Sequence, residues 1–278
     1  MVDLSADYEV MGYSVGDTKA GTKMGKLQLR NINENSTLNC ILWEETLNRL
    51  DPKIFRTGNI VKITGASFNE KFNNCLVSNM EIIKEATLGL DKNTRETHFN
   101  DILKTIETFK NEDLKSFVKD VWLKNKDLIK ITPAAKMMHH NYLGGLIQHI
   151  YECLQFAECI FPNMHKKMNK DILFAACILH DIGKIFEYTI DFETGFVQYN
   201  EDFRKDWISH SQYGFSLCMQ NNQPQIAKMI ASHHGRADWG AMIDLGEKDL
   251  ESYYYIVHHI DDLSAKFGKI YISDLEKK

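Results

Sequence analysis

The chain has 278 residues, 44% of them hydrophobic and 26% charged, with a formal net charge of −5. This is the composition of a soluble globular protein, and the length leaves room for two domains of ordinary size. The acidic balance excludes a protein that coats nucleic acid by bulk electrostatics, which needs clustered Lys and Arg, but a nuclease whose metal supplies local positive charge stays open.

The first residues, Met1 to Asp7, are acidic where a targeting peptide would be basic, and no apolar run approaches the roughly 18 residues that span a bilayer. The protein is therefore expected in the cytoplasm, with no membrane partner. Six cysteines (Cys40, Cys75, Cys153, Cys159, Cys177 and Cys218) are scattered without a Cys-x-x-Cys pair. They read as buried thiols in a reducing compartment, with no disulfide and no zinc–thiolate site.

From Tyr8 to Ile83 short β-prone runs alternate with polar turns: Tyr8 to Tyr13, Lys26 to Ile32, Leu38 to Trp43, Ile60 to Phe68 and Cys75 to Ile83. A helical pattern, Glu44 to Leu50, falls between the third and fourth runs, while Gly16, Gly21 and Gly25 loosen the first connection. Five strands with a helix after the third are what an OB-fold barrel requires. Gly89 to Thr97 reads as a linker, after which the period changes to that of a helix. Phe99, Ile102, Leu103, Ile106 and Phe109 make one apolar stripe, and Leu114, Phe117, Val118, Val121 and Trp122 another, both expected in the core. Everything onward reads as helical, with a break at Thr132-Pro133 and a new helix opened by Pro224. The expected architecture is two-domain: an all-β OB-fold barrel over residues 1–88, then linker helices and an all-α domain over 89–278.

The most informative residues lie in the second part. His180-Asp181 ends the apolar helical run through Ile172, Leu173, Ala176 and Leu179, with Gly183 expected to supply a left-handed cap. His149 lies near an apolar helical stripe formed by Leu143, Leu146, Ile147, Ile150 and Leu154, and Asp261 follows the stretch Tyr254 to Ile260. Helices of a bundle commonly build a metal site from such inward-facing side chains. The mixed imidazole and carboxylate set is borderline to hard, which points to manganese, with magnesium, iron, cobalt or nickel as alternatives, rather than to structural zinc. His210 and His233 supply nitrogens enough for a second ion. Two ions bridged by Asp181 can activate a water and stabilise the leaving oxygen of a phosphodiester. Lys184 is placed to neutralise a phosphate oxygen.

In chain order, His149, His180-Asp181 and Asp261 resemble the HD-domain metal-dependent phosphohydrolases. Longer runs are similar to the YhaM-type 3′-to-5′ exoribonucleases: His139-His140-Asn141-Tyr142 through His149, His180-Asp181-Ile182-Gly183-Lys184 ending at Glu187, Ser232-His233-His234-Gly235 with Trp239-Gly240, and His258 through Asp261 to Lys266. That resemblance implies an OB-fold ahead of an HD domain and a hydrolase that shortens single-stranded RNA, or DNA, from the 3′ end to nucleoside monophosphates. It implies metal ligation by His149, His180, Asp181, His210, His233 and Asp261, with His234 as an alternate ligand. Lys184 and His140 become candidates for the substrate phosphate, and with Asp181 they form the expected catalytic set. One departure borders the site: Asn200 to Ser209 stands where the family usually has a Thr and Gly followed by Leu-Gly before the histidine.

Other readings of the same residues are open. The metal site would also suit a small or cyclic nucleotide. A third possibility is a nucleic-acid-binding module with a vestigial site, against which the intact ligand set speaks. His139 and His140 can anchor the start of a helix, and His165 reads as a solvated loop residue. Glu187 is expected to pack against or hydrogen-bond a ligand. In the barrel, Trp43, Phe68 and Phe72 can stack unpaired bases, with Lys19, Lys23, Lys26, Arg30, Lys62 and Lys71 along the backbone path. Trp43, Phe68, Lys26 and Lys71 are the leading nucleic-acid candidates, although the same module can serve contacts between copies of the chain.

Overall fold

A computed structural model describes residues 3, 5–136, 140–164, 168–207, 209–247 and 249–267. His139 and His165 lie outside the described residues. The remainder forms two compact units, one running to Leu88 and taking in Asp191–Phe196, the other comprising Gly89–Ile190 and the residues from Val197 on.

The first unit is a closed barrel of five strands: β1 (Asp7–Asp17), β2 (Lys23–Asn31), β3 (Thr37–Trp43), β4 (Ile60–Asn69) and β5 (Asn74–Lys84), in the order β1-β2-β3-β5-β4. β1 closes the ring against β4 through Tyr8↔Val61, while β3 and β5 run parallel over Cys40↔Cys75 and Ile41↔Leu76. Helix α1 (Glu44–Arg49) connects β3 towards β4. This order, with a helix after the third strand, is that of an OB-fold. The alternation of β2 explains the closure: Leu27 and Leu29 point inward to meet Val10, Leu42, Val61 and Ile63, while Lys26 and Gln28 face out. Residues Asp191–Phe196 complete this unit. Phe196 stacks on Tyr13 with ring centroids 4.6 Å apart, and Arg56 donates to the Glu193 carbonyl at 2.9 Å.

The second unit begins with α2 (Lys92–Glu107), α3 (Glu112–Lys124) and α4 (Lys126–Ile131). The expected linker is shorter than the sequence suggests, because Asp91 caps α2 by accepting from the Thr94 N–H at 3.0 Å. Phe99, Ile102, Ile106, Val118 and Trp122 are buried, as the stripes require, with Phe99 stacked on Trp122. Next come α5 (Gly145–Ile160), α6 (Lys170–Leu179) and a single turn, α7 (Lys184–Glu187). The all-helical expectation fails at the following residues, where β6 (Tyr188–Ile190) and β7 (Val197–Tyr199) form a hairpin. Each strand is three residues long, too short to show a period of its own. α8 (Glu201–Asp206), α9 (His210–Gln220), α10 (Pro224–Ser232) and α11 (Tyr253–Phe267) complete the unit.

Helix α5 packs on α6 and α11, and α10 packs on α6, α9 and α11, so one buried layer is shared by the elements that carry the candidate ligands. Gly183 does not adopt the expected left-handed conformation: its φ is −63°. A side chain is excluded there by space, since a Cβ would stand 2.6 Å from the carbonyl oxygen of His210. All six cysteines are free, and Cys159 is exposed rather than buried. Among the described residues no helix is long and apolar enough to cross a membrane.

Candidate metal centre

Each candidate ligand is delivered by the end or inner face of a helix in the second unit, or by the turn that follows one. His149 occupies the second turn of α5, whose start is fixed by Gly144 at φ +78°. His180 is the C-terminal cap of α6, a helix so apolar that it is buried almost throughout. Asp181 follows in the turn before α7, His210 opens α9 behind the Ser209 cap, His233 ends α10, and Asp261 lies on the inner face of α11.

The side chains converge on the two oxygens of Asp181. Around Oδ2, His149 Nε2 lies at 3.3 Å and His180 Nε2 at 3.4 Å. The two imidazole nitrogens are 3.1 Å apart, and Asp261 Oδ1 is 3.1 Å from His149 Nε2. Oδ1 faces a second group, with His210 Nε2 at 3.3 Å and His233 Nε2 at 3.5 Å. His234 Nε2 joins that group at 3.2 Å from His210. With metal–ligand bonds of about 2.1 Å, donor atoms at right angles around one ion stand about 3 Å apart, which is the spacing found on both sides of Asp181.

The other nitrogen of His149, His180, His210 and His233 has a partner of its own, whereas His234 Nδ1 is buried without a hydrogen-bond partner among the described residues. His180 Nδ1 donates to the Cys177 carbonyl at 2.8 Å and His233 Nδ1 to the Ile230 carbonyl at 2.6 Å. His210 Nδ1 meets Glu187 Oε2 at 2.5 Å. His149 Nδ1 lies 2.9 Å from the Ser264 hydroxyl, which itself donates to Glu152 at 2.7 Å and is thereby free to accept from the imidazole. In this arrangement Nδ1 carries the proton and Nε2 turns a bare lone pair to the centre, the tautomer that a metal-binding imidazole needs. Lone pairs packed this closely repel one another unless a cation lies between them. Asp181 Oδ1 and His233 Nε2 are moreover buried without a hydrogen-bond partner among the described residues. The donor set therefore fits one or two divalent ions. Two clusters could each hold an ion: His149, Cys153 and His180 on the first side, and His210, His233 and His234 on the second.

Charge is arranged to keep the central carboxylate ionised. Burial by itself would raise the Asp181 carboxyl, but the Lys184 ammonium beside it holds it below the usual range. Lys184 Nζ lies 2.5 Å from Asp181 Oδ2 and is itself almost fully buried. Burial, with His233 and His210 as neighbours, pushes His234 down to about 2, so that it is a neutral ring.

The residues expected from sequence fall into separate places. His149, His180, Asp181, His210, His233 and Asp261 come together, and Lys184 joins them through Asp181. His140 is buried one step behind, with Nε2 3.1 Å from Glu152 and a left-handed backbone at φ 53°. Trp43, Phe68, Lys26 and Lys71 are exposed on the barrel unit. The β2–β3 register, with Lys26 opposite Ile41 and Met24 opposite Trp43, sets Lys26 diagonally beside Trp43 on the outward face. Lys71 instead lies over Phe72, 5.4 Å from the ring centroid, in the β4–β5 turn. Arg30 is engaged by Glu9.

Two residues of the centre, Glu152 and Ser264, were not anticipated. A usable signal was present: Glu152 lies three residues after His149, and Ser264 three after Asp261, so each shares a helix face with a ligand.

Residues 146–266 match the HD domain family, so the helical unit carries an HD domain. The chain is also 28% identical over 185 residues to the 3′-5′ exoribonuclease YhaM of Geobacillus sp. (strain WCH70), an alignment covering 63% of this chain and 54% of that protein. It thus spans about half the length of this curated relative. No solved structure matches.

Proposed function

We propose that this protein is a metal-dependent phosphodiesterase that shortens single-stranded RNA or DNA from the 3′ end and releases nucleoside monophosphates. The observation that carries the reading is the convergence of His149 and His180 on one oxygen and of His210 and His233 on the other oxygen of one buried carboxylate, Asp181, with Asp261 against His149. His149, His180, Asp181 and Asp261 would hold one ion; Asp181, His210 and His233, with His234 in reserve, would hold a second. Bound there, manganese or a similar ion supplies a Lewis acid for phosphoryl oxygens and lowers the pKa of water.

The chain's own residues do the remaining work. Asp181 stays anionic in a buried setting because Lys184 neutralises it, and Lys184 offers the same ammonium to a phosphate oxygen. Glu187, Ser264 and the carbonyls of Cys177 and Ile230 keep the imidazoles in one tautomer and orientation. The polymeric substrate and the direction of digestion rest on the likeness to an exoribonuclease and on the exposed Trp43, Phe68, Lys26 and Lys71 of the OB-fold.

Digestion of end-labelled single-stranded RNA and DNA with Mn2+, with and without EDTA and beside Asp181→Ala, tests the reading. Metal- and Asp181-dependent shortening from the 3′ end is expected. Intact polymers beside cleaved dinucleotides would transfer the same centre to small nucleotides. Unchanged cleavage by Asp181→Ala would sink the metal mechanism.

A further inference from the structure

Next to the second group of imidazoles the loop from Gly235 to Glu247 presents an indole to solvent. Trp239 is 62% exposed, in contrast to the core residue Trp122, which is fully buried. An exposed indole forgoes the burial that usually makes tryptophan stabilising.

Its support is nevertheless rigid. Asp244 accepts from the backbone N–H groups of Ala237 at 2.9 Å and Gly246 at 2.7 Å, closing the loop on itself. The Met242 and Ile243 N–H groups both reach the Ala231 carbonyl, and Leu245 N–H reaches that of Gly235, which ties the loop to the end of α10. The Arg236 guanidinium lies 5.3 Å from the Trp239 ring centroid and is held in place by both oxygens of Asp238, at 2.8 and 3.1 Å. A guanidinium thus lies beside the indole while much of the ring stays open.

The platform also adjoins the centre. Gly240, which follows the indole, approaches so closely that a Cβ on it would lie 3.3 Å from His234 Nδ1. His234 in turn packs on His233, with ring centroids 4.1 Å apart, and reaches His210 at 3.2 Å. A flat apolar surface beside a phosphate-directed metal centre suits a nucleobase, because every base offers a π-face and stacking needs no sequence-specific hydrogen bond. The neighbouring guanidinium strengthens such a surface and adds positive charge beside it.

We infer that Trp239 is the stacking platform for the base of the nucleotide whose phosphate lies at the metal centre, so that it contributes binding of a nucleotide rather than of a bare phosphate ester. The inference rests on the phosphohydrolase reading of the same centre and adds the part of the substrate that the ligands do not touch.

The test uses 2-aminopurine riboside monophosphate, whose fluorescence is quenched on stacking, titrated into the full chain with Mn2+. Quenching by the unaltered protein, affinity weakened roughly 5- to 150-fold in Trp239→Ala, and quenching kept in Trp239→Phe are expected. Equal binding and quenching by Trp239→Ala, or none by the unaltered protein, overturns the inference. A second arm compares cleavage of an oligonucleotide with that of the same oligonucleotide lacking its terminal base. Loss of the base should raise KM for the unaltered protein and cost Trp239→Ala nothing further. If the protein cleaves no oligonucleotide at all, the polymer reading fails, while the nucleotide titration still decides the stacking site.

Discussion

Glu187 Oε2 lies 2.5 Å from His210 Nδ1, so the last residue of α7 orients the imidazole that opens α9. Burial would raise the Glu187 carboxyl, but His210 and Lys184 together keep it lowered. An ionised acceptor both fixes the ring and increases the basicity of Nε2. Glu187→Gln is expected to weaken metal binding on the His210 side by about 10- to 100-fold and to leave the His149 side loaded. Metal titration followed by elemental analysis reads this out. Full loading of both sides in the variant would deny Glu187 its orienting role.

Metal removal should cost stability as well as activity. Without a cation, the imidazole lone pairs and the carboxylates of Asp181 and Asp261 are held close together, with Lys184 beside Asp181 as the relieving charge among the described residues. An ion that binds the folded chain alone stabilises it by about 2.7 kcal/mol at a concentration one hundred times its Kd. Thermal unfolding in EDTA and then in excess Mn2+ should therefore show a rise in Tm that Asp181→Asn abolishes. An identical Tm in both conditions would contradict a folded-state metal site.

The residues that converge on Asp181 could be picked out in sequence because each stands in a run of its own, such as His180-Asp181 at the end of an apolar helix, and because the chain order of those runs is distinctive. The barrel was legible from the alternation that puts Leu27 and Leu29 inside and Lys26 outside. What escaped is what depends on contacts between distant segments. The need for glycine at position 183 comes from the His210 backbone and not from its own dihedral angles. Glu152 and Ser264 are 112 residues apart in sequence and share a purpose only because α5 and α11 pack together. The Asp191–Phe196 tip belongs with the barrel through Tyr13 and Arg56, a partnership that no local pattern encodes.

On the barrel, Trp43 is 49% exposed and lies diagonally beside Lys26 on the outward face. Truncating an exposed ring removes little packing, so Trp43→Ala should change unfolding free energy by no more than about 0.5 kcal/mol. If the ring stacks a base, the same change should weaken binding of single-stranded RNA by about 1–3 kcal/mol. Fluorescence anisotropy with a labelled oligonucleotide, beside urea unfolding, separates the two effects. Unaltered RNA affinity would leave this face without a role in strand binding.

Glu152 carries a pH dependence whose sign follows from its partners. Burial would raise its carboxyl, yet hydrogen bonds from His140, Gln148 and Ser264 bring it down to about 2 from the usual 4.5. A depressed carboxylate contributes stability that is fully present above its unfolded pKa and is lost as pH falls through the folded one. Metal-free protein should accordingly lose stability between pH 4.5 and about 2, and Glu152→Gln should flatten that part of the curve. Urea midpoints taken across this range decide the matter; parallel curves for both proteins would assign the acid loss to other groups.

Gly183 offers the sharpest test of how the two sides of the centre are built. At φ −63° an alanine is conformationally welcome, and backbone entropy alone would make Gly183→Ala stabilising by about 0.4–1 kcal/mol. Space argues the opposite: a Cβ would lie 2.6 Å from the carbonyl oxygen of His210 and 2.7 Å from its Cα. These are backbone atoms at the start of α9, so relief requires the helix and its imidazole to move away from Asp181. Overpacking of this kind costs about 1–3 kcal/mol, which exceeds the entropic gain. Gly183→Ala should therefore be less stable and should lose metal from the His210 side, while His149, His180 and Asp261, carried by α5, α6 and α11, keep theirs. A stabilised variant with both sides loaded would show that α9 is not held against the turn after His180-Asp181 as tightly as the structure has it.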